Sequence, residues 1–368
     1  MRGWVRYQLL LPVLGLLLGA CATVAPNDPE TGKAIHARIE ALETRLRVLE
    51  SRREQVPVAV AKARAAVAFI WGSYTFVNEA GQPLRHVLNE AGEPIADAQG
   101  IPKVDLTGTG AIAAQRYSGT AFLVDREGRL LTNRHIAEPW WENEDAAPLL
   151  GAGLRPLFLQ LRAFFQDCAD PVPLEVLRVD PELDVALVRT IGWTPTAEPL
   201  AIHPRPDAIT EGQAVMLVGF PTGLDAVLSK LTTEEYAAME RTGTETYGKV
   251  EHLAHDQRLL PTITGGFVWE VKPHILVYDA RTSGGGSGGP VLDRQGQVIG
   301  VNAAYNPEFE GGNYGVPIAV GIRLLAGGGQ PATGATREMP LVPSDDMVPA
   351  AGADRTKSPQ GASRRGGR

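Results

Sequence analysis

Two six-stranded antiparallel β-barrels are the fold this sequence predicts, and three observations predict it. Short apolar runs separated by turn signals recur between residues 58 and 325. Glycine (41) and proline (28) are frequent while aromatics make up only 6%, which suits many short strands better than a helical bundle. The runs also fall into two sets of six, the division expected of two barrels. The first set is 66–77, 119–125, 130–133, 157–165, 174–179 and 185–190. The second is 214–219, 262–271, 275–279, 290–292, 297–304 and 314–320. With 368 residues, 44% hydrophobic, 21% charged and a net charge of -7, the chain has ordinary soluble-protein composition and room for one large or two small cores. Nothing in it points to nucleic-acid binding.

Residues 1–20 read as a signal peptide. Arg2 and Arg6 form a basic start, Leu9 to Leu18 is an apolar run too short to span a bilayer comfortably, and Leu18-Gly19-Ala20-Cys21 closes it. That closing segment resembles the bacterial lipobox, which implies cleavage before Cys21 and acylation of its sulfur and new amino group. Several acyl chains anchor a protein stably where one does not. Ala22, not Asp, follows the cysteine, and the resemblance then implies the outer membrane, facing the periplasm. Cys168 is left as the only other thiol, read as structural, and no intramolecular disulfide is expected.

After a linker over 21–32, the segment 33–56 predicts an amphipathic helix ended by Pro57. Ile35, Ile39, Leu42, Leu46 and Leu49 recur at alternating four- and three-residue steps among charged residues. Two heptads make a self-standing coiled coil marginal. The segment therefore reads either as a stalk that joins copies into a homo-oligomer or as a helix lying on its own barrels. Two long insertions follow. Residues 78–118 carry a doubled turn unit, Asn78 to Pro83 and Asn89 to Pro94; residues 221–261 carry a helix starting near Thr232, with Glu235 completing a capping box. Loops of such length are usually functional or disordered. Residues 326–368, rich in Gly, Pro, Ala, Ser and Arg, read as a disordered tail.

The chemistry concentrates in three places. Ser287 sits in Gly284-Gly285-Gly286-Ser287-Gly288-Gly289-Pro290, His135 closes Thr132-Asn133-Arg134-His135 after an apolar strand, and Asp184 opens Asp184-Val185-Ala186-Leu187. A serine hydroxyl needs an adjacent base to act as a nucleophile. The order His, Asp, Ser is that of one of the known catalytic triads. His135 would take the proton of Ser287, and Asp184 would hold the imidazole tautomer. Asp180, which precedes a proline in a turn, is the weaker candidate. The backbone N–H groups of Gly285 and Ser287 would form an oxyanion hole, where losing one donor typically costs about 2.7–4 kcal/mol. His252 and His255, one helical turn apart, lack a third ligand and read as a solvated helix face. No metal or cofactor site is predicted.

At these residues the chain resembles the trypsin/chymotrypsin superfamily, and within it the bacterial HtrA/Deg-like branch. Ser118 to Val124 followed by Leu131 to His135 is similar to that branch's SGxGF and TNxHV segments. Asp184 to Leu187 is similar to its D(L/I)AL strand, and Ser287 to Leu292 to its SGGPL turn. The resemblance implies a trypsin-like serine protease domain over 58–325, an endopeptidase acting on proteins or peptides, in envelope quality control or processing. It also implies a specificity pocket lined by Thr282, Asn302, Ala303 and Ala304, with Ile318 and Ala319 nearby. None of these is acidic, so a small or medium apolar side chain is expected before the scissile bond. The sequence departs from the family in three ways. No PDZ domain is expected downstream of Val320. Gly286 replaces the Asn or Asp common before the serine, so activation by a freshly cut N-terminal amine is not expected. The 221–261 insertion is long, and three consecutive glycines make the serine turn costly to order, so an ill-formed resting oxyanion hole is expected. The alternative readings are a non-catalytic lipoprotein that keeps the fold as a binding or chaperone module, or an esterase; the complete triad disfavours the first and the His-Asp-Ser order the second.

Overall fold

The computed structural model describes residues 29–241, 246–305 and 312–332. The signal peptide, Cys21 and most of the 326–368 tail lie outside them. Helix α1 spans Pro29–Ala66, longer at both ends than predicted, and it runs through Pro57 instead of stopping there. A proline in a helix interior removes a hydrogen bond and costs about 3 kcal/mol. Tertiary burial offsets this, because Ala59, Ala63 and Ala66 follow at helical spacing and are buried in the core. The chain divides into two compact units between Gln55 and Val56.

The first barrel is built from β1 (Val67–Val77), β4 (Gln115–Leu123), β5 (Arg129–Thr132), β6 (Arg155–Phe164), β7 (Val172–Val179) and β8 (Ala186–Thr190), with short β2 (Arg85–His86) and β3 (Val104–Asp105) paired in the insertion between β1 and β4. Two one-turn helices, α2 (Arg134–Ala137) and α3 (Ala147–Gly151), lie between β5 and β6. The strands close in the order β1-β4-β5-β8-β7-β6. The second barrel, β9 (Ala214–Gly219), β10 (Thr262–Lys272), β11 (Ile275–Tyr278), β12 (Pro290–Leu292), β13 (Val298–Tyr305) and β14 (Asn313–Pro317), closes as β10-β11-β14-β13-β12-β9. The predicted six-plus-six division therefore holds.

One apolar cluster joins the barrels, and a second, with Val215, Leu217, Leu276, Val291 and Ile299, fills the second barrel. Phe69, Phe122 and Leu131 from the first barrel belong to the same buried cluster as Leu292, Val301 and Ile318 from the second. Every residue of β1 is buried, because both of its faces are covered. The cover comes partly from the 221–261 insertion, which forms α4 (Leu224–Leu228), α5 (Thr233–Arg241) and α6 (Thr246–His255). The predicted capping box starts α5: the Thr232 N–H donates to Glu235 Oε2 at 2.8 Å and the Glu235 N–H to Thr232 Oγ1 at 3.2 Å. Tyr247 of α6 meets Trp71 and Phe164 with ring centroids 6.1 and 6.3 Å away. An insertion from the second half of the sequence thus seals a face of the first barrel.

The 78–118 insertion is ordered, and its doubled turn unit is in fact tripled. Asn78, Asn89 and Asp97 each accept, through the side-chain oxygen, the N–H four residues on at 2.9 Å, and Gly81, Gly92 and Gly100 take φ of 78°, 81° and 81°. The third copy begins with Asp in place of Asn, and the two side chains serve the same acceptor role. The same turn closes the β4–β5 hairpin at Asp125 and the β12–β13 hairpin at Asp293. An Asx side chain that mimics a backbone acceptor, followed by a glycine tolerating positive φ, is what each of these reversals needs.

Two boundaries move. The last predicted strand, 314–320, ends at Pro317, and Ile318–Leu325 forms helix α7. Its apolar residues repeat at helical spacing, with Ile318, Val320 and Leu324 buried. Past residue 325, Gln330 exchanges two backbone hydrogen bonds of 2.9 and 3.0 Å with Val179, so the start of the predicted tail is pinned to the first barrel.

Candidate active site

Strand pairing brings His135 to Asp184. In the β5–β8 ladder Thr132 lies opposite Ala186, so the residue entering α2 and the residue preceding β8 meet at the same end of the barrel. The His135 N–H donates to Asp184 Oδ1 at 2.9 Å, and Nδ1 lies 2.7 Å from Asp184 Oδ2. Both carboxylate oxygens therefore hold one histidine, by its backbone and by its ring. Asn133 Nδ2 donates to the Asp184 carbonyl at 2.6 Å. Burial works to lower the His135 pKa; the charge of Asp184 and its hydrogen bond overturn this and hold the imidazole above its ordinary value. Asp180 has a different task. Its Oδ1 accepts the N–H groups of Glu182 and Leu183, and its Oδ2 lies 3.2 Å from Arg323.

Arg134 was not singled out by its sequence context. Its buried guanidinium donates to Glu138 Oε2 at 2.9 Å and to the Asp180 and Pro181 carbonyls at 3.0 and 3.1 Å, and it packs 4.7 Å from the Trp141 ring centroid. It ties the turn leading to Asp184 to the helix that carries His135.

The serine turn is ordered, contrary to the expectation of a poorly formed loop. The Gly286 N–H donates to the Ser283 carbonyl at 3.1 Å and Gly285, at the third position of that turn, has φ of 84°, as in a type II turn. Four successive carbonyls are held: Gly284 by the Thr222 N–H at 2.5 Å, Gly285 by Thr120 Oγ1 at 2.8 Å, Gly286 by Asn302 Nδ2 at 2.8 Å, and Ser287 by the Thr120 N–H at 2.8 Å. This dense bonding offsets the entropy that three glycines lose on ordering. In a trans peptide the carbonyl and N–H point opposite ways. Pinning the Gly284 and Gly286 carbonyls therefore turns the N–H groups of Gly285 and Ser287 away from their anchors, and neither has an acceptor among the described residues. Gly288 is required for a second reason: a Cβ there would lie 1.9 Å from the Thr120 carbonyl.

Ser287 Oγ donates to the Ala303 carbonyl at 3.1 Å, and no hydrogen bond among the described residues joins it to His135. Thr120 is the residue that links the two halves of the site. It lies on the first barrel with His135 and Asp184, yet two of its atoms grip the turn of the second, while Thr132 Oγ1 holds its carbonyl at 2.7 Å.

Of the predicted pocket residues, Thr282, Asn302 and Ala303 lie around the turn. Asn302 Nδ2 approaches Thr282 Oγ1 at 3.5 Å, and Ala303 receives the serine hydroxyl. Ala304 follows on β13, paired with Tyr314. Ile318 and Ala319 are not brought there. Asn302 pairs with Gly315 and Gly300 with Pro317, so the residues level with the site on β14 are Tyr314 and Gly315, and Ile318 begins α7 in the core. The misplacement follows from extending the strand through the helix. Tyr278, unforeseen, is fully buried and donates its hydroxyl to Asn302 Oδ1 at 2.5 Å, with burial pushing its pKa up. A small depression that shares Thr282 and Gly286 with the turn is also lined by Leu217, Pro221, Thr264 and Arg281. His252 and His255 are exposed on α6, each 3.4 Å from Asp256.

Two closed six-stranded barrels, with a histidine–aspartate pair on one and a serine in a pinned glycine turn on the other, define a chymotrypsin-like serine protease architecture. Residues 119–301 match the family model of the trypsin-like peptidase domain, and this stretch is a trypsin-like serine protease domain. It is similar to the putative serine protease HhoB of Synechocystis sp., at 26% identity over 206 residues, covering 55% of this chain and 38% of that protein. It is also similar to Protease Do-like 1, chloroplastic, of Arabidopsis thaliana, at 26% over 211 residues, covering 57% and 38%. The chain thus matches well under half the length of either relative. Among solved structures, the HtrA-type protease AlgW with a tripeptide aligns over 73% of this chain and 61% of that one, at 18% identity and a TM-score of 0.41.

Proposed function

We propose that this chain is a serine endopeptidase of the HtrA/Deg type, tethered by lipid on Cys21 to the bacterial outer membrane and facing the periplasm, where it cleaves envelope proteins or peptides. The observation that carries the catalytic reading is the double grip of Asp184 on His135, together with a serine turn whose Gly285 and Ser287 N–H groups have no acceptor among the described residues. Ser287 Oγ leaves the Ala303 carbonyl by rotation about χ1 and gives its proton to His135 Nε2 as it attacks the scissile carbonyl carbon. Asp184 keeps the Nδ1 proton in place and stabilises the imidazolium. The N–H groups of Gly285 and Ser287 receive the oxyanion, His135 then protonates the leaving amine, and water attacks the acyl-enzyme by the reverse route. A preference for small or medium apolar side chains before the scissile bond is supported by the residues around the turn, Thr282, Asn302 and Ala303, none of which is acidic.

The test is turnover of casein and of short peptides by residues 22–368 beside Ser287→Ala. The expected result is a loss of several orders of magnitude in the variant. Equal rates would overturn the mechanism, and no turnover in either protein would favour the non-catalytic binding module. Release of the full chain from outer-membrane fractions by Cys21→Ser tests the tether.

A further inference from the structure

We infer that helix α1 pairs with its counterpart in a second copy of this chain, as a parallel, in-register, two-stranded coiled coil over residues 35–49. The helix is formed across the whole heptad segment, and the seam residues described there are left uncovered: Ile39 is 47% and Leu42 57% exposed. Two large aliphatic side chains one turn apart, set among charged residues, form a stripe that nothing among the described residues covers.

The heptad register says what that partner is. Placing Ile39 and Leu46 at a puts Ile35, Leu42 and Leu49 at d. Arg38 and Arg45 then occupy g, and Glu43 and Glu50 occupy e. In a parallel in-register pair each g residue faces the e residue five positions on in the other copy. Arg38 of one copy therefore meets Glu43 of the other, and Arg45 meets Glu50, each twice by symmetry. An antiparallel pair would set arginine against arginine and glutamate against glutamate. Charged residues at these e and g positions also keep the apolar stripe two positions wide, the width a two-stranded coil covers, and Ile39 at a followed by Leu42 at d favours the same number. Gly32 and Arg53 at the flanking a positions end the seam. Five layers alone would be marginal. The helix has one end already ordered, because Ala59, Ala63 and Ala66 are buried in the core.

The experiment is sedimentation equilibrium of residues 22–368 at low and high salt, with circular dichroism to check that each variant is folded. A reversible dimer is expected, weakened by salt. Arg38→Glu with Arg45→Glu should weaken it roughly tenfold or more, since attractive pairs become repulsive. Adding Glu43→Arg and Glu50→Arg to the same chain should restore it. In a Cys168→Ala background, oxidation should cross-link copies through Leu42→Cys but not through Ala41→Cys, which lies at the outward c position. A folded wild-type chain that stays monomeric, a dimer indifferent to the double charge reversal, or equal cross-linking from both thiols would each overturn the inference. None of these readouts depends on peptidase activity.

Discussion

Thr120→Val separates a residue that positions the oxyanion turn from one that merely fills the core. Valine matches threonine in size and shape, so packing is preserved and only the hydroxyl is lost. In the native protein that hydroxyl donates to the Gly285 carbonyl at 2.8 Å and accepts the Phe220 N–H at 3.2 Å, at a residue with no solvent exposure. The substitution orphans both groups. A buried unsatisfied polar group costs about 1–3 kcal/mol, and some relaxation of the glycine turn brings the expected loss of stability to about 2–3 kcal/mol. The Gly285 carbonyl belongs to the peptide lying between the two oxyanion donors. Once freed, it turns to find another partner and draws a donor out of line, and one lost donor is worth about 100- to 1000-fold in kcat. Because only part of the population is displaced, kcat should fall by about 10- to 100-fold while KM stays within about threefold. Urea denaturation reads the first effect and steady-state hydrolysis of a chromogenic peptide the second. Thr120→Ser, which keeps the hydroxyl, should recover kcat even where its smaller side chain lowers stability. Wild-type kcat in a destabilised Thr120→Val would refute the positioning role.

Other expectations follow from the same geometry. The acid limb of kcat/KM should lie above the ordinary histidine value of about 6.5, with rate gained as pH rises through it, because Asp184 raises the His135 pKa and the base must be neutral. Asp184→Asn removes the raising influences and leaves burial, so the limb should shift below that value while kcat falls by about 10,000-fold. A raised folded-state pKa contributes stability that is complete below the unfolded value and is lost as pH climbs through the folded one. The stability gap between wild type and Asp184→Asn should therefore narrow over that window, as urea titrations at several pH values would show. Arg134→Met breaks the buried ion pair with Glu138 and should destabilise the fold by about 3–5 kcal/mol, whereas adding Glu138→Leu should return much of the loss. A single variant as stable as wild type would rule out a structural role for that ion pair.

How far the site could be read from sequence depended on the range of the interactions involved. His135, Asp184 and Ser287 each sit in a local pattern, a strand followed by a particular residue or a glycine-dense turn, and such patterns survive in one dimension. Thr120, Arg134 and Tyr278 carry no comparable signal. Thr120 acts on residues 165 positions away and Tyr278 on one 24 away, and only closure of the barrels puts them within reach. The third Asx turn at Asp97 was legible in principle, since Asp and Asn serve the same acceptor role. The continuation of α1 past Pro57 was not, because the burial of Ala59, Ala63 and Ala66 that supports it is a tertiary fact.

By itself the sequence determined the double-barrel class, the order of the three chemically distinctive residues and the heptad stripe of α1, because strand periodicity, turn chemistry and helical spacing are short-range properties. Tertiary structure decided the rest: that Tyr314 and Gly315, not Ile318 and Ala319, lie level with the serine, that Thr120 of the first barrel grips the serine turn of the second, and that this turn is held firm. Each of those outcomes rests on strand register and on hydrogen bonds between segments far apart in the chain. A one-residue change in pairing would have altered each of them without altering any local pattern.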